Sequence, residues 1–529
     1  MRGHVIEGAD IHRQGPVIDL IEAESVRPSA PLLRWPGGEW SVAQLADAAR
    51  RCANHLLGLG VVDGDRVAIV SGNSEWRLAW QYGIWWIGAV EVSVNAELRG
   101  PMLEFVLDNS APTVILAERE MLENLPAVGG STLVVTDDSV VADIDRQVAT
   151  DLDDAAKRLD ASALCTILYT SGTTGASKGV MLPRAYFSNL GSVVGRVLDI
   201  GEGDVGYFVL PFFHVDAHIV LPAVIQSGSV LSFDRRFSAR RWWPQIHEFE
   251  VTWAFVIGAL LSVVMTTDRE ATGIGRLNRF LGAPIPAEAY EYFEDGLGIE
   301  ILSMFGQTEA DGPTFESRDH RRRGSAGWPC AGFDIEIHDL SGTPVAPGEV
   351  GEIVIRPQAA NMMTLGYWRR DDATVEAWRG LWFHSGDLGR LDVDGFLTFV
   401  GRLTDSLRRR GENISAYELE SIIGTAPGVA ECAVIGVVDE MGGEDEIKVF
   451  VVPDEPATFE IDAFFEFCER SLPRYAVPQV LQITQSSTFV RSIGTGVIQK
   501  RRLSVDIEGR DIYQRGAGRA PREDREVAQ

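Results

Sequence analysis

Residues 168–183 read LYTSGTTGASKGVMLP, an apolar segment that changes abruptly into glycines, hydroxyl side chains and one lysine. The residues around its start, 163–168, are apolar and partly β-branched, which predicts a short buried strand. Glycines let a backbone approach a ligand closely, and Lys178 adds a compact positive charge. Backbone N–H groups and hydroxyls in such a loop suit phosphate oxygens, although a flexible surface turn has a similar composition. The loop is not a Walker A motif, because no Gly-Lys-Ser/Thr stands at the required spacing.

The composition is that of a globular protein with more than one domain. The chain has 529 residues, of which 45% are apolar, and this length exceeds what one hydrophobic core usually serves. A formal charge of −28 argues against nucleic acid or an anionic membrane as a partner, since both are themselves negative. The longest uncharged apolar run, 251–267, is shorter than the roughly 20 residues of a membrane span. It predicts a buried strand leading into a helix.

The cysteines and the N-terminal residues both favour a cytoplasmic protein. The five cysteines show no paired spacing, so the sequence predicts neither a disulfide framework nor a cysteine-based metal site. The N-terminal residues lack the apolar segment of a secretory signal. We therefore expect a protein of the reducing cytoplasm.

The early part of the chain alternates between helix and strand patterns. A capping box opens a helix over 41–59, and strands at 66–70 and 90–94 flank a helix at 76–87. This alternation predicts a mainly parallel sheet covered by helices on both faces. Sites in such sheets lie beyond the carboxyl ends of the strands, which is where the glycine-rich loop follows its strand.

Residues 207–213 predict a further core strand, which ends beside a pair of histidines. His214 and His218 are four residues apart and would share one face of a helix, as in some zinc sites. No third ligand stands near them in the sequence, so zinc binding is not predicted. Two interpretations of His214 remain open: it ends a buried strand, or it contacts the substrate.

Several stretches resemble, in chain order, the motifs of the adenylate-forming enzymes, which include acyl-CoA synthetases, peptide-synthetase adenylation domains and firefly luciferase. Residues 168–183 resemble their phosphate loop, and 282–286, GAPIP, resemble the turn that lies against adenine. Residues 303–309, SMFGQTE, resemble the YGxTE signature of the family, with Phe305 in place of its usual tyrosine.

The resemblance continues toward the C-terminus. Residues 382–387, WFHSGD, resemble the segment whose aspartate binds ribose, and 400–405, VGRLTD, resemble the hinge between domains. Residues 408–420 resemble the loop that enters the site for thiol transfer. The sequence of 408–420, like that of 282–284, most resembles the carnitine/crotonobetaine-CoA ligases of this family.

The resemblance implies an α/β architecture with a large N-terminal and a small C-terminal domain. The large domain, 1–404, is expected to bind ATP and the acid on parallel-rich sheets covered by helices. A small mobile α/β domain is expected over 405–510. Residues 511–529 are rich in Gly, Arg and Glu and poor in apolar side chains, so we expect a disordered tail.

The resemblance also implies roles for individual residues. Glu309 would hold Mg²⁺, which prefers hard carboxylate oxygens. Asp387 would accept both ribose hydroxyls, and Asp405 would be the pivot of the hinge. The implied catalytic residues are Thr170, Lys178, Thr308, Glu309 and Arg402. The implied nucleotide-binding residues are Ser171, Gly172, Thr173, Thr174, Gly175, Gly282, Ala283, Pro284, Phe305, Gly306, Asp387 and Arg402. The implied walls of the acid pocket are Phe213, His214, Val256, Ile257, Gly258 and Gly306.

One position departs from the family. Near the C-terminus the family usually reads Pro-x-x-x-Gly-Lys, but residues 491–500 here read RSIGTGVIQK, so Val497 takes the place of the lysine. Lys500 is a poor substitute, because an odd offset in an extended chain points to the opposite face. Loss of one charge at a developing oxyanion commonly costs about 10²–10³ in rate. A slow enzyme, another group in the role of the lysine, an acid that does not need it, and an engineered substitution all remain open.

The reaction implied by these motifs is ATP-dependent adenylation of an acid, with release of pyrophosphate and transfer to a nucleophile. CoA thiol is the leading nucleophile, which makes ATP, Mg²⁺ and CoA the expected cofactors and co-substrates, alongside a small-molecule acid. One alternative is capture of the adenylate by an amine, including the ATP-dependent diazotase variant in which nitrite is the activated acid. A second alternative is a degenerate member that binds nucleotide without turnover.

Overall fold

The computed structural model describes residues 9–126, 129–145, 152–170, 177–266, 274–403, 406–409, 412–438, 445–472, 476–491, 498–506 and 511–515. The chain divides into two compact units. The larger unit comprises Met1–Ser385 with Arg390–Thr398, and the smaller unit comprises Gly386–Gly389 with Phe399–Gln529.

The helices of the larger unit are, in chain order, α1 (Pro16–Val26), α2 (Val42–Gly58), α3 (Glu75–Trp86), α4 (Gly100–Ser110), α5 (Asp138–Asp145), α6 (Asp153–Ala156), α7 (Arg184–Leu198), α8 (Val215–Ser227), α9 (Ala239–Glu248), α10 (Gly258–Met265), α11 (Ala287–Ala289) and α12 (Asp371–Ala377). Its strands begin with β1 (Pro31–Trp35), β2 (Gly38–Ser41), β3 (Arg66–Val70), β4 (Val90–Ser93), β5 (Val114–Ala117), β6 (Thr132–Val135), β7 (Leu164–Thr170), β8 (Lys178–Pro183), β9 (Val205–Phe208) and β10 (Val230–Phe233). They continue with β11 (Trp253–Val256), β12 (Arg279–Gly282), β13 (Glu300–Gln307), β14 (Ala310–Phe315), β15 (Trp328–Pro329), β16 (Phe333–His338), β17 (Gly351–Pro357), β18 (Gly366–Tyr367) and β19 (Trp378–Arg379). Two strands, β20 (Trp382–Leu391) and β21 (Leu397–Arg402), contribute residues to both units.

Two large parallel-rich sheets organise the larger unit. Within the described residues, the first sheet has the order β15-β14-β13-β12-β11-β9-β10-β1-β2, and its strands from β13 to β1 are parallel. The second has the order β18-β8-β7-β4-β3-β5-β6 and is parallel from β7 to β6. A third sheet, β16-β17-β20-β19 with β21, is antiparallel where its pairing is described. The mixed α/β architecture predicted from the sequence is therefore confirmed.

The local signals in the early part of the chain form the expected elements. The Ser41 hydroxyl accepts the N–H of Gln44, whose side chain in turn accepts the N–H of Ser41, so the capping box opens α2 as predicted. The apolar run over 251–267 forms β11 followed by α10, as predicted. Within the described residues, no helix combines the length and apolar character that a membrane crossing requires.

The predicted strand over 207–213 is wrong in its second half. Strand β9 ends at Phe208, and the next residues run as an unpaired segment to His214. Pro211 has no N–H to donate to a neighbouring strand, so it interrupts the ladder. The apolar sequence of the segment reflects burial rather than strand pairing.

The smaller unit has its own core. Its described elements are β22 (Ser406–Arg409), β23 (Glu412–Ser415), α13 (Ala416–Ile423), β24 (Val429–Val438), β25 (Asp445–Pro453), α14 (Ile461–Ser471), β26 (Val480–Ile483) and β27 (Ile512–Gln514). The strands β24-β25-β26-β27 form one sheet, and β22 pairs with β23. Apolar side chains from both helices and from β24, β25 and β26 share one buried cluster.

The last strand corrects part of the predicted tail. Residues Ile512–Gln514, placed in a disordered tail by the sequence analysis, pair antiparallel with β26. Tyr513 packs against the apolar cluster of the smaller unit, which explains why this short polar-rich stretch is ordered. Residues 516–529 lie outside the described residues, as do the predicted boundary and pivot at 404–405.

Candidate active site

The carboxyl ends of four neighbouring parallel strands carry most of the predicted site. Strands β9, β11, β12 and β13 lie side by side, with Val256 opposite Gly282 and Gly282 opposite Ser303. The predicted residues of the adenine turn and the acid pocket lie at or just beyond these ends, where α/β sheets bind ligands. These predicted residues therefore share one edge of the first sheet.

The predicted phosphate loop connects β7 and β8 of the second sheet. Thr170 ends β7 and lies opposite Lys178, the first residue of β8, in an antiparallel pair. The two predicted catalytic residues are thus held by strand pairing on either side of the loop. The rest of the predicted loop, Ser171, Gly172, Thr173, Thr174 and Gly175, lies outside the described residues.

Tyr367 connects the two sheets. Its hydroxyl donates a hydrogen bond of 2.7 Å to Oε1 of Glu309, and the Nζ atom of Lys178 lies 4.8 Å from the centre of its ring. Burial and the neighbouring carboxylate raise the pKa of Tyr367 above its ordinary value, so the phenol stays protonated as a donor. The lysine of the phosphate loop and the acid of the 303–309 motif therefore meet on one tyrosine.

Strand pairing sets the position of this tyrosine. Tyr367 lies opposite Val180 where β18 pairs with β8, and the N–H of Trp368 donates to the Gly179 carbonyl at 2.7 Å. A Cβ atom on Gly179 would lie 2.9 Å from a methyl carbon of Ile167, so the close pairing needs a glycine there. The sequence analysis did not give Tyr367 a role, and its only signal was its place beside the family motifs.

Backbone contacts hold the last two residues of the 303–309 motif, Thr308 and Glu309, in the turn that follows β13. Glu309 is buried, and its carbonyl accepts the N–H of Thr364 at 2.8 Å. The hydroxyl of Tyr186 accepts the N–H of Asp311 at 2.8 Å and donates to the carbonyl of Thr308 at 3.3 Å. The two predicted catalytic residues of this motif therefore stand on a fixed turn.

The donor set around Glu309 fits magnesium held jointly with substrate phosphates. Within the described residues, no group of three or more His, Cys, Asp or Glu side chains converges on one point. A single buried carboxylate is the kind of protein ligand that Mg²⁺ uses when phosphate oxygens and water complete its shell.

The adenine side of the predicted site is compact. Phe305 and Gly306 lie on β13, and the turn Ala283–Pro284 follows β12. The position of a Cβ atom on Gly258 would be 2.7 Å from the Pro284 carbonyl oxygen, so this glycine allows the chain after β11 to approach that turn. The structure brings Gly258 and Pro284 close together, and the role of these residues beside adenine stays a prediction.

The acid pocket residues follow β9 and β11. Phe213 and Val256 are buried, Ile257 is partly buried, and His214 caps the N-terminus of α8. Burial, with a contribution from His218, lowers the pKa of His214 to about 4, so its ring is neutral near pH 7. Its Nε2 atom is buried and has no hydrogen-bond partner within the described part of the chain. His214 therefore presents one buried ring nitrogen that could bind a ligand in the predicted pocket.

Side chains hold the unpaired segment that leads to His214. Asn73 donates to the carbonyl of Leu210 at 3.0 Å and accepts the N–H of Phe212 at 2.8 Å. Arg77 donates to the carbonyl of Phe212 at 3.1 Å. Two side chains near the start of α3 therefore replace the missing ladder bonds, which sequence reasoning did not find.

A buried charge network continues from this segment. His218 bonds through Nδ1 to the carbonyl of His214 at 2.9 Å and through Nε2 to Glu91 at 3.0 Å. Arg77 lies 3.5 Å from the same carboxylate, and all three side chains are fully buried. Burial alone would raise the pKa of Glu91, but His218 and Arg77 lower it below its ordinary value. His218 is thus a positioning group of the core rather than a zinc ligand.

The smaller unit contains the predicted ribose-binding pair. Asp387 is buried, and its Oδ1 lies 3.5 Å from Nε of the half-exposed Arg402. Lys500 forms an ion pair of 2.9 Å with Glu420, also within this unit. The pivot Asp405 and the departure at Val497 lie outside the described residues.

The chain matches two models of one enzyme family. Residues 21–368 match the model described as AMP-binding enzyme, and residues 418–490 match the AMP-binding enzyme C-terminal domain. Together these matches cover both units of the structure and confirm the resemblance seen in the motifs.

Curated relatives and solved structures agree with this assignment. The chain is 32% identical to a feruloyl-CoA synthase of Amycolatopsis sp over 89% of its own length and 95% of the relative. It is 30% identical to a crotonobetaine/carnitine–CoA ligase of Salmonella paratyphi A over 84% and 90% of the two chains. The structure of a fatty acyl CoA synthetase from Mycobacterium tuberculosis is 27% identical, with a TM-score of 0.74 over 93% and 98% of the two chains. The chain therefore belongs to the AMP-binding enzyme family, as an ATP-dependent adenylate-forming ligase of the acyl-CoA synthetase type.

Proposed function

We propose that this protein transfers the adenylyl group of ATP to a planar or medium-sized carboxylic acid, with release of pyrophosphate, and then transfers the acyl group to the thiol of CoA. The observation that carries the proposal is the contact of Tyr367 with both Lys178 and Glu309. Through Tyr367, the ammonium of Lys178, which suits phosphate oxygens, and the carboxylate of Glu309, which suits magnesium, lie near each other. Phosphoryl chemistry needs these two groups close together, because charge develops on both sides of the transferred phosphorus.

In the first half-reaction, a carboxylate oxygen of the acid attacks the α-phosphorus of ATP, and the bond to pyrophosphate breaks. Lys178 and Thr170 are assigned to the phosphate oxygens, and Thr308 to the α-phosphate. Magnesium, when bound at Glu309, supplies charge neutralisation on the leaving pyrophosphate. Tyr367 keeps the carboxylate of Glu309 oriented through its hydrogen bond of 2.7 Å.

The nucleotide is assigned to the adenine turn and the ribose pair. Gly282, Ala283, Pro284, Phe305 and Gly306 form the proposed adenine wall, which a planar base can stack against. Asp387 can accept two hydroxyl donors at once, and Arg402 lies 3.5 Å from it to balance its charge.

In the second half-reaction, the sulfur of CoA attacks the acyl carbon and AMP leaves. The support for CoA is that the relatives reported above are named as CoA synthases or ligases. The support for a planar or medium-sized acid is the composition of the predicted pocket wall, which combines Phe213 and His214 with the small residues Gly258 and Gly306. The relative named for feruloyl-CoA is consistent with such an acid.

The proposal is tested with the full-length protein, ATP, Mg²⁺ and a panel of aromatic, short-chain and long-chain acids. Release of pyrophosphate and AMP is followed with and without CoA, and the CoA thioester is identified by mass. We expect thioester formation with aromatic or medium-sized acids. Turnover that is unaffected by CoA but requires nitrite and an aryl amine would replace CoA transfer with amine capture.

Val497 supplies a second, independent test of the same choice. If this is an acyl ligase that lacks its lysine, Val497→Lys should raise adenylation of the carboxylic acid by about 10-fold or more. Val497→Leu is the matched control, because it changes the volume without adding charge. A lysine that lowers turnover with every carboxylate would contradict the ligase proposal, because a buried ammonium without its carboxylate partner is costly.

A further inference from the structure

A small cavity lies between α7, α8 and the strands β11, β13 and β14. The cavity has a volume of about 10 Å³, which is enough for one water molecule or one substituent of that size. Most of the wall is apolar, with Ile219, Phe255 and Phe315 among its side chains. The carboxyl groups of Asp216 and Asp311 complete it.

Two residues of the cavity wall lie next to residues of the predicted acid pocket. Asp216 lies two residues beyond His214, in the first turn of α8. Asp311 lies on β14, and a Cβ atom built on Gly306 would collide with its Oδ1 atom. One carboxyl is therefore next to the histidine of the pocket, and the other touches the glycine of the 303–309 motif.

Neither carboxyl has a cation paired with it within the described part of the chain. Asp311 is only 6% exposed, and its carboxyl accepts a backbone N–H from Gly312. The carboxyl of Asp216 accepts the backbone N–H of the same residue and interacts electrostatically with His218. A buried carboxyl with so few donors is costly, so the wall of this cavity can accept more N–H or O–H groups than the protein supplies.

The two carboxyls line the same cavity, so one group that enters it can donate to both. An arriving group with several N–H donors would supply the hydrogen bonds that the protein leaves unmade there.

We propose that the cavity selects a substrate acid bearing an amino substituent, whose N–H groups are donated to Asp216 and Asp311. The inference rests on the proposed function, since it assigns the substrate class of the same pocket. An amino group offers two or three donors in the volume of one water molecule, whereas a hydroxyl offers one. A methyl group of similar size offers none and would leave both carboxyls unpaired. The neighbouring Phe255 and Phe315 favour attachment of the amino group to a planar ring.

The test compares acids that differ only in this substituent. The full-length protein is assayed for pyrophosphate release with amino-, hydroxy-, methyl- and N,N-dimethylamino-benzoates and with the same series of cinnamates. In at least one of the two series, benzoates or cinnamates, we expect kcat/KM for the amino-substituted acid to exceed kcat/KM for its methyl and dimethylamino analogues by about 10-fold or more. Equal kcat/KM for the amino, methyl and dimethylamino acids would overturn the inference and leave the proposed function standing. Release of pyrophosphate with no acid at all would overturn both.

The variants Asp216→Asn and Asp311→Asn assign the preference to the cavity. Each keeps the shape of the side chain but replaces an acceptor oxygen with an N–H₂ donor. We expect the ratio of kcat/KM for the amino-substituted acid to kcat/KM for its methyl analogue to fall to about 1 in each variant. Asp199→Asn, at the exposed C-terminal end of α7, is the control and should keep the preference. A preference unchanged in both cavity variants would contradict the inference, and the wild-type comparison decides it where a variant does not fold.

Discussion

Glu91 and His218 are hydrogen-bonded at 3.0 Å inside the larger unit, although 127 residues separate them in the chain. Glu91 lies on β4 of one large sheet, and His218 lies on the helix that His214 caps. Because His218 also binds the carbonyl of His214, the pair connects the core of the second sheet to a residue of the proposed acid pocket. The backbone at His214 is therefore held by a buried network of polar contacts rather than by a strand.

We predict that Glu91→Gln affects the acid more than the nucleotide. The substitution removes the charge that Arg77 and His218 face, and breaking such a buried pair costs about 3–5 kcal/mol in the free energy of unfolding. We expect a higher KM for the acid with a KM for ATP within about 3-fold of wild type. Glu97→Gln, an exposed acid just after the same strand, is the control. Equal changes in both KM values would show that the network has no special relation to the pocket.

A second prediction concerns Tyr367→Phe. The variant leaves the buried Glu309 without its hydroxyl donor, which costs about 1–3 kcal/mol of orientation and stability. We expect kcat to fall by about 10-fold and the Mg²⁺ concentration for half-maximal pyrophosphate release to rise. Tyr169→Phe removes a tyrosine hydroxyl that binds Asn109 instead, and it should leave the magnesium dependence unchanged. A normal magnesium dependence in Tyr367→Phe would argue against the proposed role of this contact.

A third prediction separates metal use from nucleotide binding. Glu309→Gln should lower turnover strongly while ATP affinity stays within a few-fold, because the metal mainly stabilises transferred phosphoryl charge. Asp387→Ala should instead weaken ATP binding, since it removes two ribose hydrogen bonds worth about 1–3 kcal/mol each. Calorimetric titration with ATP, together with AMP release, distinguishes the two. Variants that bind and turn over like wild type would contradict the site assignment.

A fourth prediction concerns stability and pH. The pKa of Asp216 is about 6 in the folded protein against an ordinary value of 3.8. Between these values the folded state holds more protons than the unfolded state, so the free energy of unfolding falls as the pH rises from about 4 to about 6. Asp311, whose pKa is also raised, extends this fall to higher pH.

The measurement is the urea midpoint of wild type and Asp216→Asn between pH 4 and pH 8. We expect the urea midpoint of Asp216→Asn to decrease less with rising pH than the midpoint of wild type does. Asp199→Asn serves again as the exposed control and should follow wild type. Parallel curves for wild type and Asp216→Asn would mean that the carboxyl is not held neutral by the fold.

Local signals in the sequence determined the elements that carry the site. The capping box of Ser41 and Gln44 sets the start of α2, and the apolar run before Thr170 sets β7, because each depends on neighbours within a few residues. Lys178 was singled out by the glycine- and hydroxyl-rich stretch around it, whereas the role of Glu309 came only from the resemblance of residues 303–309 to a family motif.

Only the tertiary structure decided what those residues touch. Tyr367 and Glu309 are 58 residues apart, and the backbone after β9 is bound by Asn73 and Arg77, which lie more than 130 residues before it in the chain. Asp216 and Asp311 look like two acids in a chain that is rich in them, until α8 and β14 bring them to one cavity. Sequence spacing carries no trace of such contacts, because hydrogen bonds and burial depend on distance in space and not on distance along the chain.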